Sequence, residues 1–526
     1  FRPRGRYALV VTRRLFAGLP TGGLALGRPL GLLACGLTFW LLGLLGLPPS
    51  GWLSAALALA IVAGAAWSLE QGRSPSDGPV PSLRQQLRER RGLVLGLEGA
   101  FALALVLFAL FRAFRPDIET AGGEKWMEMA FLSAVLESPG FPPLDPWLSG
   151  HAISYYHLHY LIAAWLTRLA GIERYLAFNL MIPLTFGMTL AGAVGLGFDL
   201  VALEGGRVRR AWAWAAGGLT AFLAILMGNL HAALEILNTK GWLPAAFFNW
   251  LGIKNLGVNQ VFCGESDNAA YASGEFWPAR RIWWWRSSRV IADVDAGGGC
   301  REVIHEFPFF SFMLGDVHPH VLTLPYLVLA LALALQWLRG RPRGAEASPG
   351  ALWTWHWLAF PLVLGALGFF NTWDLPTFMG LAGLAYLLSA LNPRRPAPTW
   401  EKAGRSDLLL AAVGLAAVAA LAWRLAAGFG AAEDGTTDVL SRFFIALGPV
   451  LAVGALLQWL WSRRLADDWA ARLLDALRVG AWLALVALVA YLPFYLGFSS
   501  QAKGVGIVDI RSRFRQWLVH WGPHLW

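Results

Sequence analysis

The stretch GDVHPHVLTLPYLVLALALALQWL, residues 315–338, joins a short polar motif to an almost uninterrupted apolar run. The run begins at Val321 and comes close to the roughly 20 residues that an α-helix needs to cross a bilayer. The motif in front of it places Asp316, His318 and His320 at alternate positions. The stretch therefore predicts a transmembrane helix with titratable side chains at one end.

Apolar runs of this kind recur along the whole chain. Of its 526 residues, 56% are hydrophobic and only 14% are charged, with a mean hydropathy of +0.50. Soluble domains carry about 25% charged residues. We predict an all-α polytopic membrane protein of the cell membrane, with eleven or twelve transmembrane helices in one domain over residues 1–526. The candidate spans lie near 29–47, 51–69, 93–113, 152–170, 175–203, 210–229, 319–338, 353–371, 375–391, 407–427, 442–461 and 476–498.

The positive charge of the chain has a consistent location. The formal net charge is +10, and arginines gather in short loops such as residues 84–91, 207–210 and 339–343. The positive-inside rule places such loops in the cytoplasm. Because this rule accounts for the charge, we expect no nucleic-acid partner. The opposite, extracytoplasmic side then holds a first loop, 114–152, and a long segment, 230–318.

One pair of candidate spans conflicts with this orientation. If 152–170 and 175–203 both crossed the bilayer, the arginines of 207–210 would lie outside. We therefore expect one of the two to be interfacial, re-entrant or broken, with Pro183 as a candidate break.

The chain has three cysteines, Cys35, Cys263 and Cys300. Three are too few for a disulfide-stapled scaffold or a cysteine-rich zinc site. Cys263 and Cys300 would be able to pair if their segment is extracytoplasmic.

The first extracytoplasmic loop is rich in acids. It contains Asp117, Glu119, Glu124 and Glu128, with Lys125 among them. A carboxylate beside apolar walls can accept a proton from a hydroxyl or hold a divalent cation. A solvated acidic loop is the alternative. Residues 124–137 also have the pattern of an amphipathic helix.

The motif SYYHLHY, residues 154–160, opens the next apolar run. Tyr155 and Tyr156 would suit a ligand at the bilayer surface, although interfacial tyrosines commonly serve as helix anchors. His157 and His159 are too close in a helix to share a face, which argues against a paired metal site.

The motif WWWRSSR, residues 283–289, places Arg286 and Arg289 beside three consecutive tryptophans. Guanidinium groups among aromatic rings suit a lipid phosphate, which predicts this role for Arg286 and Arg289. An aromatic belt with snorkelling arginines is the alternative. Arg424, near the outer end of an apolar run, is predicted to meet a lipid phosphate as well.

Two further motifs precede apolar runs. Asp316, His318 and His320 form a candidate set of ligands for a divalent cation, although hydrogen-bonded residues at a helix entry would show the same pattern. Asp374, in FFNTWDLPTF, either binds substrate or caps the helix that follows.

Together these motifs resemble the uncharacterised bacterial and archaeal "YYY" membrane protein family. The resemblance rests on residues 124–172, HEFPFFSFMLGDVHPHVLTLP (305–325), NTWDLPT (371–377) and LPFYLGFSS (492–500), and extends over nearly the whole chain. His157 stands where the family's name implies a third tyrosine.

The first loop is also similar to that of GT-C glycosyltransferases, which use polyprenyl-phosphate sugars. The matching order is an acid, a helical stretch, a proline turn, a glycine and a tyrosine-rich helix start: Glu124, Ala130, Pro142 and Pro143, Gly150, then Tyr155 and Tyr156. The resemblance implies that Glu124 is the base that acts on the acceptor. Lys125 departs from the pattern, because a second acid often follows the first in these enzymes.

The resemblance and the motifs lead to one leading hypothesis, a membrane-embedded inverting glycosyltransferase that acts on a polyprenyl-phosphate sugar within the membrane lipid. The catalytic candidates are Glu124, Asp117 and Glu128; the substrate-binding candidates are Tyr155, Tyr156, Arg286, Arg289, Asp374 and Arg424; the metal candidates are Asp316, His318 and His320. The acceptor is left open. A lipid-linked sugar carrier, or a structural subunit with partners in a membrane complex, is the alternative.

Overall fold

The computed structural model describes residues 6–47, 51–71, 83–119, 123–202, 210–254, 256–258, 261–262, 265–266, 271–275, 283–295, 299–339, 355–392, 469–498 and 510–525. Contacts within the chain divide it into two compact units. The first comprises Phe1–Gly217 and Val317–Gly504, and the second comprises Gly218–Asp316 and Val505–Trp526.

Helices make up most of the described chain, which confirms the predicted all-α class. They are α1 (Arg6–Leu15), α2 (Gly27–Leu44), α3 (Trp52–Gln71), α4 (Leu83–Glu89), α5 (Arg91–Ala113), α6 (Lys125–Glu137), α7 (Leu158–Ala170), α8 (Arg174–Ala202), α9 (Arg210–Ala221), α10 (His231–Thr239), α11 (Ala245–Leu251), α12 (Trp283–Ser287), α13 (Pro308–Leu314), α14 (Pro319–Leu322), α15 (Leu324–Arg339), α16 (Trp355–Phe370), α17 (Asp374–Ala390), α18 (Trp469–Val489), α19 (Leu492–Gly497) and α20 (Phe514–Leu525). A π-helical turn, Phe222–Leu226, continues α9.

Four described helical segments are long and apolar enough to cross a membrane: Leu24–Leu44, Trp52–Leu69, Arg91–Ala113 and Arg174–Ala202. A fifth results if Arg210–Leu226 and His231–Thr239, which are bent by 78°, count as one span. Shorter apolar helices occupy Leu324–Arg339, Trp357–Phe370 and Asp374–Ala390. These helices lie on predicted spans, except His231–Thr239, which lies in the segment predicted as an extracytoplasmic loop. The predicted spans 407–427 and 442–461 lie outside the described residues, and the predicted number of eleven or twelve spans remains a prediction.

Helices α7 and α8 bear on the conflict in orientation. α7 has 13 residues and is therefore about 20 Å long, which is short of a hydrocarbon core of about 30 Å. α8 runs for 29 residues without interruption and contains Pro183 inside the helix. The predicted break at Pro183 is therefore wrong, and α7 is the segment whose length does not suffice for a crossing.

Burial separates the central helix of the first unit from its peripheral ones. The apolar window of α8 is 78% buried, whereas those of α3 and α5 are only 22% and 28% buried. α5 and α8 pack along each other, and Gly187 allows this because an added Cβ would stand 3.1 Å from the carbonyl oxygen of Phe101. Small residues of this kind let membrane helices approach closely. The exposed apolar faces of α3 and α5 suit contact with lipid.

The second unit contains most of the segment predicted as a long loop, 230–318. It has a core of buried apolar residues: Leu234, Phe248, Leu251, Ile253, Leu256, Val290 and Val519. It also contains two small antiparallel sheets, which were not predicted from the sequence. One pairs β1 (Val261–Phe262) with β2 (Glu265–Ser266), and in the other β3 (Ala292–Asp295) lies between β4 (Cys300–Glu302) and β5 (Ile510–Ser512).

The cysteines differ in state. Cys300 is disulfide-bonded, and Cys35 is a free thiol buried in α2. The predicted partner, Cys263, lies outside the described residues.

Candidate functional site

Polar side chains from four parts of the chain meet at one end of the first unit. They come from the start of α6, the segment before α7, the segment that leads into α14, and the turn between α16 and α17. These parts are up to about 250 residues apart in sequence, so only the packing of the helices brings them together.

Glu124 lies at the N-cap position of α6, but its side chain makes no capping hydrogen bond. Its Oε2 atom instead lies 3.1 Å from Nε2 of His318, and 55% of its side chain is exposed. An N-cap acid usually accepts hydrogen bonds from the first turn of its own helix. The carboxylate is thus directed toward the histidine motif while solvent still reaches it.

Tyr155 lies beside this acid and histidine pair. Its hydroxyl is 3.4 Å from the same Nε2 atom of His318, and its ring stacks on Phe131 of α6 with centroids 5.5 Å apart. Nδ1 of His318 in turn contacts Nδ1 of His320, so one of these nitrogens donates and the other accepts. The carboxylate, the phenol and the two imidazoles form one continuous polar group.

Glu128 is the buried acid of this site. It has no exposed surface, and its Oε2 accepts a hydrogen bond of 2.6 Å from the backbone N–H of Val317. The contact fixes the backbone directly before His318 against the first turn of α6. This contact positions the histidine, and the catalytic role predicted for Glu128 remains a prediction.

Tyr156 and Asp374 lie around the turn between α16 and α17. The hydroxyl of Tyr156 is 2.8 Å from Oγ1 of Thr372, and its ring stacks on Phe498. The Asp374 carboxylate accepts a 3.1 Å hydrogen bond from the side-chain amide of Asn371. Asp374 is the first residue of α17, and its charge interacts with His320. Thr372 was not among the site residues predicted from the sequence, although it belongs to the NTWD motif.

Asp117 is exposed. Its backbone takes part in a group of hydrogen bonds around Arg112, here called the clamp, which was not predicted from the sequence. Arg112, at the end of α5, donates to the carbonyl oxygens of Arg115 and Asp117 at 2.6 and 3.2 Å. Its Nε donates to Oδ1 of Asn179 in α8 at 2.8 Å. The signal for this clamp in the sequence was an arginine at the end of an apolar run. The clamp fixes where the first loop leaves the membrane helices.

His157, where the resemblance led us to expect a third tyrosine, is part of the core. The side chain is 5% exposed, its Nδ1 donates to the carbonyl oxygen of Tyr155 at 2.8 Å, and its ring packs edge-on against Phe369. Burial lowers the pKa of His157 from 6.5 to about 4. The imidazole is therefore neutral at pH 7 and packs like an aromatic residue.

The pKa of His157 predicts a loss of stability in acid. Between about pH 6.5 and pH 4 the unfolded chain binds a proton that the folded chain does not, so stability falls as the pH falls, by up to roughly 3 kcal/mol. His157→Phe keeps the ring but cannot be protonated, and we expect a smaller decrease in melting temperature from pH 7 to pH 4 in detergent. The exposed His151 provides the control, because His151→Phe should leave the wild-type slope. An unchanged slope in His157→Phe would contradict the assignment.

In the second unit, the predicted phosphate-binding arginines already have contacts. Arg286 forms an ion pair with Glu235, and the two side chains are only 11% and 4% exposed. The guanidinium of Arg289 stacks over the ring of Trp285 at 3.8 Å. Arg424 lies outside the described residues.

The metal prediction remains a prediction. Asp316 is buried and belongs to the second unit, whereas His318 and His320 belong to the first. Within the described residues, no group of three or more histidine, cysteine, aspartate or glutamate side chains is arranged to hold a metal ion.

Comparison with known proteins gives a family but no activity. No curated protein and no solved structure matches the chain. The model of a family described as an uncharacterised membrane protein, DUF2298, matches residues 34–441 and 436–526. The match includes all the parts of the chain that form the site of the first unit. The protein is thus a member of the DUF2298 family of membrane proteins.

Proposed function

We propose that the protein is an inverting glycosyltransferase of the GT-C type, which transfers a sugar from a polyprenyl phosphate at the extracytoplasmic face of the membrane. One observation carries the proposal: the carboxylate of Glu124 does not cap its helix but lies, half-exposed, against His318. A general base needs this combination of access and a fixed orientation. The resemblance of the first loop to that of GT-C enzymes supports the same residue.

The chemistry is a single displacement. The acceptor oxygen bonds to the anomeric carbon while the bond from that carbon to the lipid phosphate oxygen breaks. The acceptor proton passes to Glu124, and the phosphate leaves with the electron pair. His318 orients the carboxylate, and the buried Glu128 holds the backbone before His318 in place. Tyr155 and Tyr156 offer aromatic faces and hydroxyls to the sugar.

The proposal rests on the first unit alone. The phosphate-binding role predicted for Arg286, Arg289 and Arg424 is a separate proposal, since the first two belong to the second unit and the third lies outside the described residues.

The extracytoplasmic location is supported by charge and by redox state. His318 and His320 precede α15, whereas Arg339 ends it, so the histidines and Arg339 lie at opposite ends of this helix. Under the positive-inside rule the arginine end is cytoplasmic. The disulfide at Cys300 supports the same side for the second unit, because disulfides persist outside the cytoplasm.

A donor-cleavage assay tests the function directly. Purified protein in nanodiscs would be given labelled, short-chain polyprenyl-phosphate hexoses with water or a membrane extract as acceptor. We expect release of polyprenyl phosphate and a product of inverted anomeric configuration. Movement of intact donor across a vesicle bilayer without cleavage would support a carrier and contradict the proposal.

A further inference from the structure

Helix α20 of the second unit has two unlike faces. Gln516, Val519 and Gly522 point inward and are buried. The opposite side carries Phe514, Trp517, Leu518 and Trp521, which are 76%, 40%, 41% and 49% exposed. Their spacing of three and four residues places them on one stripe of the helix, here called the aromatic face. The helix thus buries Gln516, Val519 and Gly522, whereas its large aromatic residues on the opposite side are exposed.

Two arginines lie at the start of the same helix. The guanidinium groups of Arg513 and Arg515 both lie over Gly252, where an added Cβ would overlap Arg513 and stand 3.5 Å from a nitrogen of Arg515. Arg515 also faces the ring of Trp250, which is 53% exposed. Burial and the charge of Arg515 lower the pKa of Arg513. Two guanidinium groups at the positive end of a helix attract anions.

Helix α20 contacts the bend of the candidate bent span, which lies between Arg210–Leu226 and His231–Thr239. The first arm of this span ends at Leu226 in a π-helical turn, whose Phe222 is 50% exposed. Four residues later, the N–H of Leu230 donates to the carbonyl oxygen of Val519 at 3.0 Å, and Gly522 packs against the Leu230 side chain. Because this contact joins α20 to the bend of a segment that is apolar enough to enter a bilayer, a lipid surface is within reach of the helix.

We propose that the aromatic face of α20 lies in the headgroup region of the bilayer, with Arg513 and Arg515 bound to lipid phosphates. Tryptophan and phenylalanine favour this region because it accommodates a large ring at the boundary between water and acyl chains. Arginine binds phosphate through paired N–H groups, and two neighbouring guanidinium groups at a helix start suit an anionic lipid headgroup. The inference holds for any activity of the first unit.

Spin labels on α20 test this docking. Cysteines introduced as Leu518→Cys and, separately, Trp521→Cys in a Cys35→Ala background would carry a nitroxide in vesicles of phosphatidylcholine with phosphatidylglycerol. Collisions with apolar oxygen are expected to exceed collisions with a water-soluble nickel chelate at both positions. The exposed Ser273 of the same unit provides the matched control, and Ser273→Cys should show the reverse order.

The remaining outcomes decide against the proposal. Greater access of the nickel chelate at 518 and 521 would show that the aromatic face lies in water. Labels shielded from both probes would show that protein, not lipid, covers it. The variant Arg513→Gln with Arg515→Gln should move the label at 518 toward the aqueous phase in phosphatidylglycerol vesicles, and an unchanged depth would refute the phosphate contacts.

Discussion

Glu124→Gln is expected to lower the rate of donor cleavage by about 10²–10⁴-fold, which is the usual contribution of a general base. Glutamine keeps the size of the side chain and a hydrogen bond to His318, but it cannot take the acceptor proton. The fold should persist, because 55% of the Glu124 side chain is exposed and it makes no capping hydrogen bond. Initial rates in nanodiscs, together with melting temperatures, would measure both effects.

Glu137→Gln is the matched control for this variant. Glu137 ends the same helix, α6, and forms an exposed ion pair with Arg174. Exposed pairs contribute about 0–1 kcal/mol, so we expect near-normal activity and stability. If Glu124→Gln retained the activity of the Glu137→Gln variant, Glu124 could not be the base and the proposed mechanism would fail.

Removal of Glu235 is expected to destabilise the protein by about 3–5 kcal/mol. Glu235→Ala would leave the Arg286 guanidinium, whose side chain is 11% exposed, without its buried carboxylate. An unpaired buried charge costs far more than the pair itself contributes. Chemical or thermal unfolding in detergent, compared with the wild type, would measure the loss.

The double variant Glu235→Gln with Arg286→Met separates structure from binding. Because both charges are removed, we expect it to regain most of the stability that Glu235→Ala or Arg286→Met loses alone. If Arg286 serves only the ion pair, activity returns with stability. A stable but inactive double variant would instead assign Arg286 to the phosphate. Wild-type stability in Arg286→Met would show that the pair is not structural.

Sequence patterns predicted the positions of the long apolar helices well, because such a helix requires a long apolar run and little else. They did less well in the second unit, where β3 is paired by β4 and by the distant β5. Such short strands depend on partners remote in sequence and leave no periodic signal. The predicted break at Pro183 is wrong for a related reason. Helix α8 is buried, and the helices packed around it stabilise the helical conformation at the proline.

By itself the sequence determined the fold class, the positions of most helices and the set of titratable residues at the helix ends, because these follow from local composition. Tertiary structure alone decided the environment of each of these residues. Glu124 and Glu128 are one helical turn apart, yet packing leaves one carboxylate half-exposed beside His318 and buries the other against Val317. Exposure and hydrogen-bond partners depend on contacts between segments far apart in the chain, which local sequence does not encode.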